Sequence, residues 1–409
     1  MSVAPHPSLI KQQIAHKPQS SKSRAHRTTI LHLASDVEPD SPGRDAVTLA
    51  MLTQRAGWRA IIGSSGGHLV NEAERAAVRH IRIPLNKDNL LSRWRSAISI
   101  RALAHRERPI LVHAHGLTAT RYALRLSREL RLPFIADITQ PIEASAFEHR
   151  LFEQIKHGTG LVRVPSEFMA YYLQDHFKLE TEQIYHVPPG VDLHTHSARF
   201  ISAERLQNLS QRWRLPEQAS ILLVPMPLMT GLGHQVFLDA LEKIKSENVF
   251  AVLAGRDGTS PQYRASIESK ISQQGLTGKV IMPDYCHDLP AACWLSSAVV
   301  APNIAPRGQN TELLAAQAIG RPVIVTDTGA NREMVLSGET AWIVPPNNSE
   351  ALADAMRQAV RLGTQERLNL ADYAHNFIAE NFQQNLYFDG TMQMYETLLH
   401  PSARVAQAA

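Results

Sequence analysis

Short apolar runs, many of them β-branched, alternate with longer helix-forming runs along almost the whole chain. This alternation constrains the fold more than any single residue does. The stretch Asn303 to Pro346 shows the unit most clearly. Thr311 to Ile319 is rich in Ala and Leu, both strong helix formers. Gly320 can end that helix, because glycine takes the left-handed conformation at little cost. Val323-Ile324-Val325 reads as a short buried strand. Asp327-Thr328-Gly329-Ala330 then turns at the carboxyl end of that strand, where open α/β sheets bind their ligands. Gly338-Glu339-Thr340 makes a second turn before another short strand, 341–344.

The same punctuation runs through the rest of the chain. Strands are predicted at 29–35, 58–64, 81–83, 110–115, 133–138, 160–164 and 183–187, with helices between them. The pattern restarts at 219–225 and continues through strands at 250–254, 280–282 and 298–301 to the stretch described above. Such alternation predicts α/β halves, each a parallel sheet with helices on both faces. Pro188 to Leu193 (PPGVDL) divides them, since its prolines stop a strand and its glycine permits a sharp turn. The expected division is a tail at 1–27, a first domain at 28–190, a second at 191–375, a final helix at 376–400 crossing back to the first domain, and a tail at 401–409.

A length of 409 residues independently favours two domains. With 44% hydrophobic and 20% charged residues, the composition is that of a globular protein. No apolar run approaches the ~18 residues that span a bilayer, and the first 27 residues lack the apolar core of a secretory signal. A cytoplasmic location is the expectation. Cys286 and Cys293 are the only cysteines, too few for a disulfide framework, and read as reduced thiols. The net charge of +4 comes from the amino-terminal tail: without its Lys11, Lys17, Lys22, Arg24 and Arg27 the remainder is near −1. That tail reads as a solvated extension. Peripheral contact with anionic lipid at the inner membrane is its second reading, and nucleic acid is disfavoured.

Several segments, in order, resemble the family 4 glycosyltransferases, which have the GT-B fold. They are AGWRAIIGSSGGHLVNEAERA and RVPSEFMAYYL in the first half, and AQAIGRPVIVTD, GANRE and GETAWIVPP in the second. Within that family the chain looks most like a bacterial branch acting on cell-surface polysaccharide and lipopolysaccharide. The resemblance implies two Rossmann-like domains facing across a cleft. It implies a nucleotide-sugar donor, as substrate rather than cofactor, and a glycan or lipid-linked acceptor. It also suggests a retaining reaction without a metal.

The same register locates the site residues. The family's phosphate-binding Arg and Lys fall at Pro227 and Leu232, and its two sugar-gripping carboxylates at Arg307 and Ala315. What remains for the donor is Gly231 and Gly233 as a backbone-amide nest, His234 as a partial charge, Arg307 as a phosphate contact, Glu312 one turn before Ala315, and Gly329 and Glu333 of GANRE. Gly231 to His234, Arg307, Glu312 and Gly329 are expected to line one cleft. On the acceptor side stand Gly43 and His115. His113 and His115 are expected on opposite faces of their strand, one of them toward the cleft. Asp137 is the local substitute for a general base, with a turn or cap residue as the alternative. His194 and His196 lack a third convergent ligand, so no metal is expected there. Two readings of activity stay open: an active transferase, and a catalytically degenerate binding, scaffold or regulatory protein.

Overall fold

The computed structural model describes residues 28–39, 41–87, 89–158, 160–255, 261–283 and 286–400. The basic amino-terminal tail, residues 401–409 and Asp40 lie outside them.

The first domain runs β1 (Thr29–Ala34), α1 (Gly43–Arg55), β2 (Arg59–Ser64), α2 (Val70–Arg75), β3 (Arg79–Arg82), α3 (Leu90–Glu107), β4 (Leu111–His115), α4 (Leu117–Leu130), β5 (Phe134–Asp137), α5 (Ala146–Lys156), β6 (Gly160–Val164), α6 (Glu167–Phe177) and β7 (Ile184–His186). Its seven strands are parallel, in the order β3-β2-β1-β4-β5-β6-β7. The second domain adds α7 (Ala203–Trp213), β8 (Ser220–Val224), α8 (His234–Lys243), β9 (Val249–Leu253), α9 (Pro261–Gln273), β10 (Val280–Ile281), α10 (Leu289–Leu295), β11 (Ala298–Ala301), α11 (Thr311–Ala318), β12 (Val323–Thr326), β13 (Ala341–Val344), α12 (Ser349–Arg361) and α13 (Thr364–Asn381). Its six strands follow the order β10-β9-β8-β11-β12-β13, again parallel. The predicted pair of α/β domains is therefore the observed fold.

The two faces of the first sheet are covered differently. Leu31, Val112, Phe134 and Val162 pack with α3 to α6 in one core. On the opposite face, Ile30, Leu111, Ile135 and Leu161 meet Met394, Tyr395 and Leu398 of α14 (Gln384–Leu399), the last helix. Each such buried side chain contributes about 1.5–3 kcal/mol through removal from water. The chain's end thus completes the core of its beginning.

Two details differ from the sequence reading. Helix α7 was not expected, because its run is largely polar and buries only Leu209 and Trp213. The final helix begins at Gln384 rather than 376, since α13 continues to Asn381 and its Ile378 packs with Leu314 and Met334 of the second domain. At the break, Val191 N–H donates to Phe382 O at 2.7 Å and Gln384 N–H to Val191 O at 2.9 Å. The two chain crossings between the domains are thereby tied side by side.

Candidate functional site

The loops at the carboxyl ends of β8, β11 and β12 lock together through close backbone approaches. Gly233 precedes α8 with φ of 76°, and a Cβ there would lie 1.8 Å from Pro302 O. Gly329, with φ of 57°, lies against Arg307, whose carbonyl oxygen would stand 2.3 Å from an added Cβ. Only glycine serves at either position. The Gly231 carbonyl accepts from Ile304 and Ala305 N–H at 2.8 and 2.9 Å. Gly231, Gly233, Arg307 and Gly329 therefore come together, and Glu312 follows in the first turn of α11.

The segment from Asn303 to Glu312 also carries buried polar atoms without hydrogen-bond partners. They are both side-chain polar atoms of Asn303, both of Asn310, Gln309 Oε1 and Glu312 Oε2. Folded proteins rarely leave such groups unpaired.

The other donor-side expectations change. His234 is fully buried in the second core and sits 3.5 Å from the Tyr263 hydroxyl. Burial lowers its pKa to about 4, so at neutral pH it supplies no positive charge. Leu232, where a lysine was expected by family register, packs on the second hydrophobic core, and Ala315 is buried. Glu333 reaches across to the first domain. Its carboxylate accepts from Glu167 and Phe168 N–H at 2.8 Å each, capping α6 of the first domain from across the cleft. Burial raises its pKa against the lowering effect of those amides. Beside it, Ser166 Oγ donates to Gly308 O at 2.7 Å, and Gly308 N–H donates to Gln140 Oε1 at 3.1 Å. The Arg307–Asn310 loop is seated on the first domain and the cleft is closed around it.

Gly43 opens α1 against the Asp36 backbone, where an added Cβ would sit 1.9 Å from Asp36 O. The remaining acceptor-side residues form an internal network. Residues two apart on a strand share a face, and His113 and His115 do so, with ring centroids 4.2 Å apart. The expectation of opposite faces was mistaken in its period. Both rings lie fully buried beneath α14. His115 meets Asp137 Oδ2 through Nδ1 at 3.3 Å and His32 Nδ1 through Nε2 at 3.1 Å. Asp137 Oδ1 accepts from Arg163 Nη1 at 2.8 Å, and Arg163 also donates through Nε and Nη2 to Val187 O. Burial pushes the Asp137 pKa up, but Arg163 and His115 outweigh it and hold the carboxyl below its usual value. With both oxygens engaged and 1% exposure, Asp137 is an ion-pair anchor in this closed form, not an open general base. Asp45 of α1 joins the network to Gln309 of the second domain, Nε2 to Oδ2 at 3.5 Å.

The sequence reading missed Arg163, His32, Tyr395, Asn303 and Asn310. Arg163 had a visible signal, an arginine inside the apolar strand Gly160–Val164 (GLVRV).

With this geometry, residues 43–195 match the family described as Glycosyltransferase Family 4, and residues 228–361 match Glycosyl transferases group 1. The chain belongs to the family 4 glycosyltransferases. Among solved structures, a glycosyltransferase from Rickettsia africae superposes with a TM-score of 0.82 at 21% identity, covering 91% of this chain and 99% of that one. Anabaena HepE in complex with UDP-glucose does so at 0.78 and 18%, covering 90% and 99%. At these identities the likeness establishes the fold of a glycosyltransferase. A curated relative, the phosphatidyl-myo-inositol mannosyltransferase of Mycobacterium leprae, is 28% identical over 180-odd residues, 43% of this chain and 46% of that protein. The chain spans less than half the length of the curated relatives it matches. Among the described residues, no helix is long and apolar enough to cross a membrane.

Proposed function

We propose that this glycosyltransferase-family chain binds a nucleotide-sugar at the carboxyl end of its second sheet. It then transfers the sugar to a glycan or lipid-linked acceptor in cell-envelope polysaccharide synthesis. The observation that carries this reading is the set of unpartnered buried polar atoms from Asn303 to Glu312. Sugar hydroxyls and phosphate oxygens supply the donors and acceptors such atoms lack. The Gly231–Gly233 turn and the first amides of α8 suit a diphosphate, Arg307 adds a cation, and Glu312 Oε2 suits a hydroxyl. HepE holding UDP-glucose on the same fold supports a nucleotide-sugar of that class.

The lipid-linked acceptor has support on the first domain. Helix α3 exposes Leu90, Leu91, Trp94 and Ile98 beside exposed Arg93, Arg95 and Arg101. A groove of about 390 Å³ between α4 and α5 is lined by Arg121, Arg125, Arg128 and Arg150. Apolar residues among arginines suit an anionic membrane surface, here the cytoplasmic face of the inner membrane. The M. leprae relative is named a phosphatidyl-myo-inositol mannosyltransferase, which is consistent with a lipid acceptor.

The test is calorimetry of the full chain with UDP-, GDP- and ADP-sugars. Binding of one of them, weakened by Asn310→Ala and Glu312→Ala, is the expected result; no heat with any overturns the reading. A second reading, binding without turnover, is favoured by the packed Leu232, the buried Ala315 and the neutral His234. Loss of one charged transition-state contact commonly costs ~100-fold in rate. Turnover of a labelled donor by the unmodified protein would end this second reading. Restored turnover only in Pro227→Arg, Leu232→Lys, Arg307→Glu, Ala315→Glu combinations would establish it.

A further inference from the structure

We propose that His32, His113 and His115 form a buried binding site for a divalent transition-metal ion of the zinc class, a cross-brace beneath α14 that is separate from the donor cleft. One ring nitrogen from each residue lies within 4.8 Å of the others, and all three side chains are buried. The strand register produces this grouping. His32 stands directly opposite His113 across β1 and β4, and Ala34 opposite His115. All three rings therefore leave the same face of the sheet.

The hydrogen bonds set which nitrogens are available. His115 Nδ1 faces the Asp137 carboxylate at 3.3 Å, which fixes the proton there and leaves Nε2 with a lone pair. A carboxylate on the far nitrogen is the usual partner of a metal-ligating imidazole. His113 Nδ1 is held by the Tyr395 hydroxyl at 2.8 Å, and His113 Nε2 has no partner. His32 Nδ1 lies 3.1 Å from His115 Nε2 and donates to it in the metal-free form, so ligation through Nδ1 requires the His32 proton to sit on Nε2, which has no partner. Two zinc-bound nitrogens at about 2.1 Å from the metal stand roughly 3.4 Å apart in a tetrahedral site. That pair is already at ligand spacing, and the third ring needs to draw in by an ångström or so. Imidazole nitrogen suits zinc, copper and nickel.

The charged neighbours differ from ring to ring. Asp45 and Asp137 act on His115, while Arg163 acts on His113. An ion here ties β1 to β4 and, through His113 and Tyr395, steadies α14.

Zinc is the probe. The full chain is isolated from zinc-supplemented culture, passed through a chelating column, and its metal content measured. We expect about one zinc per chain, a rise in Tm of several degrees over metal-stripped protein, and intense visible bands when cobalt replaces zinc. His32→Gln and His113→Gln should each weaken retention ~100-fold or more, while His194→Gln with His196→Gln keeps it. Wild type free of zinc overturns the proposal, as does zinc retained by both single variants or lost from the His194/His196 pair. If the single variants fail to fold, X-ray absorption of zinc-loaded wild type decides. A shell of three imidazoles supports the site, and fewer overturns it.

Discussion

Two polar regions lie at the carboxyl ends of the two sheets, and they are finished in different ways. In the first domain, His115, Asp137 and Arg163 hold one another, and α14 closes over them. In the second, the loops from Asn303 to Glu312 hold their backbones together through Gly231 and Gly329 but leave side-chain polar atoms unpaired. The first arrangement pairs its charged groups within the fold and leaves only ring nitrogens of His32 and His113 unpartnered among its histidines, Asp137 and Arg163. The second leaves them unpaired, and under the proposed function they are the groups that meet the nucleotide-sugar. The same topology thus yields an ion-paired anchor in one domain and a buried set of unpaired polar groups in the other.

The sharpest way to break this comparison is to remove one charge from each region. Arg163→Ala strands the Asp137 carboxylate in a buried site, and such a loss costs about 3–5 kcal/mol. Arg307→Ala, on the half-buried loop, should cost ~1 kcal/mol or less. Urea denaturation of the two variants gives both numbers. Equal losses would mean that the second region is as structural as the first.

Acid provides a second, smaller effect. Burial lowers the pKa of His234 to about 4, and that of His186 to about 4 with Arg163 adding to it. Below pH 6.5 the unfolded chain takes up protons at these positions while the folded chain does not. Stability therefore falls as pH drops from 6.5 toward 4, and is unaffected by these groups above 6.5. Between pH 6.5 and 5 each contributes a loss of ~2 kcal/mol. A His234→Phe variant should show a shallower fall in Tm over that interval than wild type. An unchanged slope would show that His234 becomes protonated without unfolding.

Much of the fold was legible because its strands are short β-branched runs closed by Gly, Asp or Pro, as in Val323-Ile324-Val325 before Asp327. Helix α7 was not, since Leu206, Leu209 and Trp213 are its only apolar residues at helical spacing. The break at Phe382–Gln383 carries no Gly or Pro to announce it. The donor-side glycines were legible because close backbone approach demands glycine itself. Asp137 and His115 were legible as polar strand ends, but not their partners. Arg163 and His32 are distant in sequence and reach them only through the strand order β1-β4-β5-β6. Glu333 shows the limit most plainly. Its neighbours in GANRE mark a turn, yet its carboxylate meets backbone amides of the other domain, which no residue type reveals.

That contact gives a third test, about how the two regions are held together. Glu333→Ala removes the acceptor of two amides at the start of α6 and a negative charge well placed for the helix dipole. Loss of a cap of this kind costs ~1 kcal/mol. The variant should also open the cleft, seen as a larger radius of gyration in solution scattering. A variant of unchanged radius would leave the Gly308 contacts with Ser166 and Gln140 as sufficient to hold the closed form.

The smallest effect on stability is expected where the effect on binding is largest. Asn303 and Asn310 have no hydrogen-bond partners for their buried amides, and Asn310 precedes α11 without a side-chain cap. Replacing an unsatisfied buried amide by a methyl group removes a desolvation cost rather than a bond. Asn303→Ala and Asn310→Ala should therefore change stability by less than ~1 kcal/mol and in the stabilising direction if the site is dry. Each should nevertheless weaken nucleotide-sugar affinity tenfold or more, the equivalent of about 1.4 kcal/mol. Destabilisation on the scale of Arg163→Ala, with affinity untouched, would place these asparagines in the fold. The contrast between the two sheet ends would then be one of packing rather than of purpose.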